Sequence, residues 1–170
     1  GRALAQPARP LAAIVAGAKV STKLTILESL ADKLDVLVVG GGIANTFLAA
    51  RGGEGGGSLH EPELLEAARR VERRLAERGG VVWLPEDVVI ADRFAADADT
   101  RICDAESVPP GWMILDIGPK SRDSLAAVLA RGLHIALHGG GLRQRLSKCF
   151  RGLFDLIVHR SSIEPCAIAA

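Results

Sequence analysis

Short apolar runs rich in β-branched residues alternate with segments of helical periodicity along most of this 170-residue chain. The runs at residues 11–15, 36–39 and 81–84 have the length of buried strands. Residues 21–34 and 62–78 place apolar side chains at the spacing of one helix face, so each predicted helix packs one side on a sheet. Such alternation is typical of a parallel sheet that is covered by helices on both faces. We therefore predict an α/β fold with a Rossmann-like parallel sheet.

The alternation continues in the second half of the chain. Extended segments are predicted at residues 88–91 and 113–117, with a further strand near residues 101–103. Helices are predicted over residues 43–50 and 121–130. These segments carry the α/β pattern to about residue 131.

A glycine-rich loop at residues 51–59 interrupts this pattern. It offers little apolar surface for packing, so we predict that it is mobile. Its five glycines stand at positions 52, 53, 55, 56 and 57.

The sequence Gly-Ala-Lys-Val-Ser-Thr-Lys at residues 17–23, here called the lysine loop, lies where the first predicted strand ends and the first predicted helix begins. Parallel sheets bind ligands at this edge, and a helix N-terminus offers a phosphate unpaired amides and a partial positive charge. We expect Lys19 and Lys23 to project from one side of the first helical turn. Without an anion, each would oppose the helix dipole at a cost of about 0.3–1 kcal/mol. The pattern fits a phosphate site or two solvated surface lysines, and the frame of a P-loop is missing.

A second glycine cluster follows the second predicted strand. Residues 40–42, here called the glycine turn, are three consecutive glycines that precede a predicted helix. Glycines at this position allow a ligand to approach the backbone closely, and the helix again presents amides. A tight turn without a ligand explains the same residues equally well.

These two runs together resemble the opening of the nucleotide-binding, C-terminal domain of phosphoglycerate kinases, especially the bacterial ones. The similarity covers the lysine loop and the run Val-Gly-Gly-Gly-Ile-Ala-Asn-Thr-Phe at residues 39–47, at matching separation. It continues through Ser58 and Leu59, the Leu-Pro-x-Asp run at residues 84–87 and the run that begins Gly-Trp-Met at residues 111–119. In all, the resemblance spans residues 10 to about 131.

The resemblance implies a kinase that transfers phosphate between 1,3-bisphosphoglycerate and ADP, giving 3-phosphoglycerate and ATP with Mg²⁺, in glycolysis. By position, Lys19 resembles the family lysine that steadies the transferring phosphoryl group, and Lys23 the lysine that holds the nucleotide phosphates. Other positions resemble those that line the nucleotide. Near the phosphates these are Gly17, Ala18, Gly40 and Gly41, and near the adenine they are Leu59, Ile114 and Leu115.

The resemblance ends after Arg131. Family members place a strand ending in Trp-Asn-Gly-Pro there, whereas this chain has Leu137 and His138 followed by glycines. The Gly-Gly-Gly-Asp-Thr motif, whose carboxylate serves the phosphates and magnesium, and the N-terminal domain with its basic 3-phosphoglycerate pocket are not found in the chain.

We therefore predict a partial nucleotide-binding domain over residues 1–131 and a divergent basic segment over residues 132–170. A frameshift or a decayed gene copy are hypotheses for the second segment. Because the chain starts without a methionine, we expect it to be a fragment. Because the family's reaction needs closure of two domains and one is not found in the chain, we expect this fragment to be inactive alone. The second segment still predicts a strand at residues 133–137, a helix at 142–150 and a strand at 156–158.

Composition limits the partners of the chain. A hydrophobic fraction of 48% and a charged fraction of 24% are typical of a soluble globular protein, and the apolar runs are too short to span a membrane. The basic residues of the last segment show little of the aromatic interleaving that nucleic-acid binders have. His134 and His138 share one face of a predicted strand but have no third donor nearby, so we predict no metal site on the chain itself.

Three cysteines without C-x-x-C spacing, at positions 103, 149 and 166, indicate a reducing compartment, and we expect a cytoplasmic monomer. The expected ligands are ADP or ATP with Mg²⁺, and 3-phosphoglycerate only if an N-terminal domain is supplied. Two alternatives remain open: a non-catalytic nucleotide- or phosphate-binding remnant, and an interaction module whose basic tail binds an acidic partner.

Overall fold

The computed structural model describes residues 9–131 and the backbone of residues 134–138. In chain order, the strands and helices are β1 (Leu11–Ala16), α1 (Leu24–Ala31), β2 (Val36–Gly40), α2 (Gly42–Ala50), β3 (Glu54–Gly55), a 3₁₀ turn (Pro62–Leu64), α3 (Leu65–Ala76), β4 (Val81–Trp83), β5 (Asp87–Ala91), β6 (Thr100–Asp104), β7 (Ser107–Val108), β8 (Met113–Ile117), α4 (Pro119–Leu129) and β9 (His134–His138).

The largest sheet is parallel and has the strand order β4-β2-β1-β9. In the register of β1 with β2, Ala12 lies opposite Val36 and Ala16 lies opposite Gly40. The two strands therefore end side by side, and the segments that follow them leave the sheet at the same edge. This edge carries the lysine loop and the glycine turn.

Alternate residues of β1 enter two different cores, because successive side chains of a strand point to opposite faces. Leu11, Ala13 and Val15 belong to a core that includes apolar residues of α1, α2 and α3. Ala12 and Ile14 belong to a second core, completed by Leu125 and Leu129 of α4 and by neighbouring strands. The prediction of a parallel sheet with helices on both faces is confirmed.

Two of the predicted strands lie outside this parallel sheet. Strands β5, β6 and β8 form a separate antiparallel sheet with the order β6-β5-β8, whereas the sequence pattern predicted one parallel sheet. Only residues 84–86 separate β4 from β5. A parallel crossover needs a dozen residues or more, so this connection is too short to return the chain to the same sheet in parallel.

The glycine-rich loop is held at several points, in contrast to the prediction that it lacks packing. Its strand β3 pairs in parallel with β7, with Glu54 opposite Ser107. The Gly57 amide donates to the Trp112 carbonyl at 2.7 Å. At Gly56, where φ is +57°, a Cβ would lie 2.6 Å from the Pro109 carbonyl oxygen. Glycine permits this backbone-to-backbone packing, so the glycines of this loop indicate close backbone contact and not a lack of packing.

Two helices are shorter than the ranges that the spacing of apolar residues predicted for them. Helix α1 starts at Leu24 where the pattern predicted residue 21, and the predicted helix at residues 62–78 consists of a 3₁₀ turn and α3. Strand β9 confirms the strand predicted at residues 133–137, displaced by one residue. The helix and strand predicted over residues 142–150 and 156–158 lie outside the described residues. Within the part of the chain that the structure describes, no helix is long and apolar enough to cross a membrane.

Candidate functional site at the edge of the parallel sheet

The lysine loop is a turn that precedes α1, and its lysines do not lie in the first helical turn as predicted. The Lys23 amide donates to the Val20 carbonyl at 2.8 Å, and Lys23 is the N-cap of α1. The hydroxyl of Thr22 donates to the Lys19 carbonyl at 2.9 Å. Lys19 is exposed and Lys23 half-buried. The helical spacing that was predicted to align the two lysines therefore does not apply to them.

The glycine turn packs directly against the start of the lysine loop. The Gly17 amide donates to the Gly40 carbonyl at 3.4 Å, and the Gly17 carbonyl accepts a hydrogen bond of 3.2 Å from the Ile43 amide. Gly41 has a φ of +64°, which L-residues rarely adopt. At Gly42, a Cβ would overlap the Ala18 carbonyl oxygen and would lie 2.9 Å from the Ala18 carbonyl carbon. These glycines form a tight turn that brings the two segments into contact.

A carboxylate from elsewhere in the chain binds the amide donors of the lysine loop. Glu61 Oε2 accepts a hydrogen bond of 3.0 Å from the Ser21 amide, and Glu61 Oε1 accepts one of 2.6 Å from the Ser21 hydroxyl. The two residues are 40 positions apart in sequence. In the sequence, Glu61 directly precedes the helix predicted at residues 62–78, so an acid there pairs with the positive end of that helix and gives no sign of a contact with the lysine loop.

The surroundings of Glu61 favour its charged form. Partial burial raises the pKa of the carboxyl, but hydrogen bonds from the Ser21 hydroxyl and from the Ser21 and Val20 amides lower it, and so does the positive charge of Lys19. The net effect is a pKa below the ordinary value of 4.5. Glu61 is therefore an anion at neutral pH.

The segment that contains Glu61 also contacts α2. In residues 58–61, here called the bridging segment, the Leu59 carbonyl accepts a hydrogen bond of 3.0 Å from Asn45 Nδ2. The Glu61 amide donates to Thr46 Oγ1 at 3.1 Å, and that hydroxyl donates to the Gly42 carbonyl at 3.0 Å. The bridging segment is thus hydrogen-bonded to the helix that follows the glycine turn.

The bridging segment contacts the antiparallel sheet at its other end. The hydroxyl of the buried Ser58 accepts a hydrogen bond of 2.8 Å from the Ile114 amide. Leu115 falls at a register shift between β5 and β8, where Val89 faces Asp116 and Ile90 faces Ile114. Such irregularities occur often next to functional sites, where they redirect a side chain. Leu59 is 55% exposed beside this sheet.

The structure thus brings the predicted site residues together in two groups. Gly17, Ala18, Lys19, Lys23, Gly40 and Gly41 share the edge of the parallel sheet, and Leu59 and Ile114 meet through Ser58. The bridging segment connects them, and its sequence signal was restricted to Ser58 and Leu59.

The described residues contain no group of three or more His, Cys, Asp or Glu side chains that could hold a metal ion. This part of the chain therefore supplies no set of three such ligands to hold Mg²⁺ without oxygens from a bound phosphate. Lysines and backbone amides, in contrast, suit a phosphate-bearing ligand.

An open parallel sheet whose edge carries a lysine loop and a glycine turn is the architecture of α/β proteins that bind phosphorylated ligands. The profile of the family described as phosphoglycerate kinase matches residues 1–141. The chain belongs to the phosphoglycerate kinase family, a family of phosphotransferases.

The chain is similar to solved structures of phosphoglycerate kinases from two organisms, among others. Phosphoglycerate kinase from Coxiella burnetii is 39% identical, with a TM-score of 0.84, over 95% of this chain. Phosphoglycerate kinase from Pyrococcus horikoshii OT3 is 20% identical, with a TM-score of 0.68, over 94% of this chain, and this second likeness concerns the fold alone. The chain covers 43% and 42% of the two structures' own chains. It therefore spans less than half the length of these relatives.

Proposed function

We propose that the chain is the nucleotide-binding part of a phosphoglycerate kinase, which transfers phosphate between 1,3-bisphosphoglycerate and ADP in glycolysis. The observation that carries this proposal is the family match over residues 1–141, which includes both lysines of the loop beside the glycine turn. A cytoplasmic location and a monomeric state belong to the same proposal.

In this proposal the two lysines do the electrostatic work at the phosphates. Lys23 binds the nucleotide phosphates, and Lys19 stabilises the charge of the phosphoryl group in transfer. Phosphoryl transfer needs positioned reactants and neutralised charge, and lysines supply the second without a covalent nucleophile. The backbone at Gly17, Ala18, Gly40 and Gly41 lines the phosphates.

The nucleoside is assigned to the other group of residues. Leu59, with its exposed side chain, and the half-buried Ile114 and Leu115 offer apolar surface to the adenine ring. The hydrogen bond between Ser58 and Ile114 supports this assignment, because it keeps Leu59 next to β8.

Magnesium enters this proposal as a companion of the nucleotide, where it would neutralise phosphate charge. No step is assigned to it on the chain's own residues, since the described part offers no cluster of ligands for it.

We propose that the chain by itself binds nucleotide without turnover, as residues 1–131 form a partial nucleotide-binding domain and residues 132–170 a divergent segment. The reaction joins two substrates by closure of two domains, and the chain spans 43% of a relative's length. We expect 3-phosphoglycerate to bind only when an N-terminal domain is added. A coupled assay with the 170-residue chain should show no rate above background. A measurable rate would contradict the claim of inactivity and would leave the family function intact.

Lys23→Ala is expected to weaken ADP binding by about tenfold, because one cation at the phosphates is lost. Isothermal titration calorimetry of the wild type and the variant measures the effect. Lys33→Ala is the matched control, since Lys33 is exposed and follows the opposite end of α1. Equal affinities of the wild type and Lys23→Ala would reject the role of Lys23, and the absence of ADP binding by the wild type would reject the proposed function.

A further inference from the structure

Glu61 lies between the residues at the edge of the parallel sheet, which are assigned to the phosphates, and the residues that are assigned to the adenine. Its carboxylate accepts two hydrogen bonds from Ser21 in the lysine loop, and its amide donates to Thr46 in the helix that follows the glycine turn. Leu59, which is assigned to the adenine, is in the same bridging segment. One residue therefore connects the phosphate end of the site with the nucleoside end.

We propose that Glu61 is a positioning residue, which holds the lysine loop so that Lys19 and Lys23 meet the phosphates of a nucleotide whose base lies against Leu59. This inference rests on the proposed nucleotide site. It assigns Glu61 no contact with the reacting atoms.

The charge of Glu61 matters because the lysine loop carries two cations next to the positive end of a helix. Lys19 and Lys23 lie near the N-terminus of α1, where the helix dipole disfavours cations, and the first turn of α1 contains no acidic residue. Glu61, from 40 positions away, supplies a carboxylate that interacts electrostatically with Lys19. It stabilises the loop before any ligand binds, so less ordering remains for the nucleotide to induce.

The hydrogen bonds of Glu61 also determine where the lysine loop lies, in addition to the effect of its charge. Both carboxylate oxygens of Glu61 bind one residue, Ser21, through its amide and its hydroxyl. Ser21 stands between the two lysines. The Glu61 amide is itself hydrogen-bonded to Thr46, so Glu61 holds the lysine loop in a fixed position relative to α2 and the glycine turn.

This role predicts an effect on ADP that adenosine does not share. Glu61→Ala should weaken ADP binding by about tenfold and change adenosine binding by less than about twofold. Glu61→Gln keeps an acceptor for Ser21 and should restore part of the ADP affinity. Ser21→Ala should weaken ADP binding by about threefold, and adding it to Glu61→Ala should cause little further loss, because the two residues act through one contact.

The experiment is calorimetry of the full 170-residue chain with ADP and with adenosine, and Glu63→Ala serves as a control that removes an exposed carboxylate two residues away. An unchanged or increased ADP affinity in Glu61→Ala would overturn the proposal, and an increase would mean that the carboxylate competes with phosphate. Equal losses for ADP and adenosine would also overturn it, since they indicate a general structural role. If the wild type binds no ADP, the proposed function itself fails. Hydrogen exchange at the Ser21 amide, expected to accelerate in Glu61→Ala, then still reports whether Glu61 holds the loop.

Discussion

Replacing Gly42 with alanine is expected to lower the free energy of unfolding by about 2 kcal/mol or more, because the new methyl group meets backbone that cannot move aside. The added Cβ would overlap the Ala18 carbonyl oxygen and would lie 3.2 Å from the Ala18 Cα. Alanine favours helix over glycine by only about 1 kcal/mol, so the gain in helix propensity does not offset the overlap. The steric overlap therefore outweighs the helix propensity, and the substitution destabilises the folded chain.

Thermal unfolding followed by circular dichroism tests this expectation. The midpoint of Gly42→Ala should fall by about 5 °C or more for a chain of this length. Gly17→Ala is a suitable control, because its Cβ would make an ordinary contact of 3.5 Å with Ile43 Cδ1. Equal midpoints for wild type and Gly42→Ala would show that the lysine loop and α2 are not packed as described.

The same substitution should impair the site. Gly42 and Ala18 are the point where α2 approaches the lysine loop, so a methyl group there separates the two segments proposed to bind the phosphates. We expect ADP affinity to fall by more than about tenfold at a temperature where the variant is still folded. Destabilisation without any loss of ADP affinity would place the phosphate site away from this junction.

The sequence was sufficient to predict the α/β class and the edge of the sheet that carries the site. The alternation of strands and helices is visible in the local periodicity of apolar residues. Because neighbouring strands of such a sheet are parallel, the ends of β1 and β2 are then expected at the same edge, as observed. The position of β5 outside the parallel sheet was also encoded, in the short connection at residues 84–86. Periodicity alone does not reveal it, because a buried strand has the same pattern in either kind of sheet.

The central position of Glu61 was not predictable in the same way. Its partner Ser21 lies 40 positions away, and the contact depends on how the bridging segment packs against α2. Two lysines before a helix without an acid in its first turn were the available signal, since such a helix start needs an anion. One of the two sequence interpretations assigned that anion to a bound phosphate, and the structure provides a carboxylate from the chain itself.

The second large effect is expected at Asp87, where the antiparallel sheet meets α4. Asp87 Oδ1 accepts hydrogen bonds of 2.7 Å from the Ser121 amide and from the Ser121 hydroxyl, and Oδ2 accepts one of 3.2 Å from the Lys120 amide. The carboxylate therefore caps the N-terminus of α4. The N-cap residue of this helix, Gly118, has no side chain that could do so. A Cβ at Gly118 would overlap this carboxylate.

Asp87→Ala should lower the free energy of unfolding by about 3 kcal/mol, because it leaves the buried Ser121 amide and the part-buried Lys120 amide at the start of α4 without acceptors. The corresponding fall in the thermal midpoint is about 5–10 °C. Asp123→Ala removes an exposed carboxylate from the same helix and serves as the control, with little change expected. Similar midpoints for the two variants would contradict the capping role of Asp87.

The contribution of Asp87 should also depend on pH. Burial raises the pKa of this carboxyl, but the hydrogen bonds from Ser121 and Lys120 outweigh it, and the pKa lies below the ordinary value of 3.8. A carboxyl whose pKa is lower in the folded chain stabilises it fully above the unfolded-state pKa and loses that contribution as the pH falls through the folded-state pKa. The difference in unfolding free energy between wild type and Asp87→Ala, measured by urea denaturation, should thus be constant above about pH 5 and shrink below about pH 4. Because Glu61 titrates in both proteins, its own contribution cancels in this difference. A difference that grows towards acid pH would show that folding raises the pKa of Asp87, contrary to the expectation.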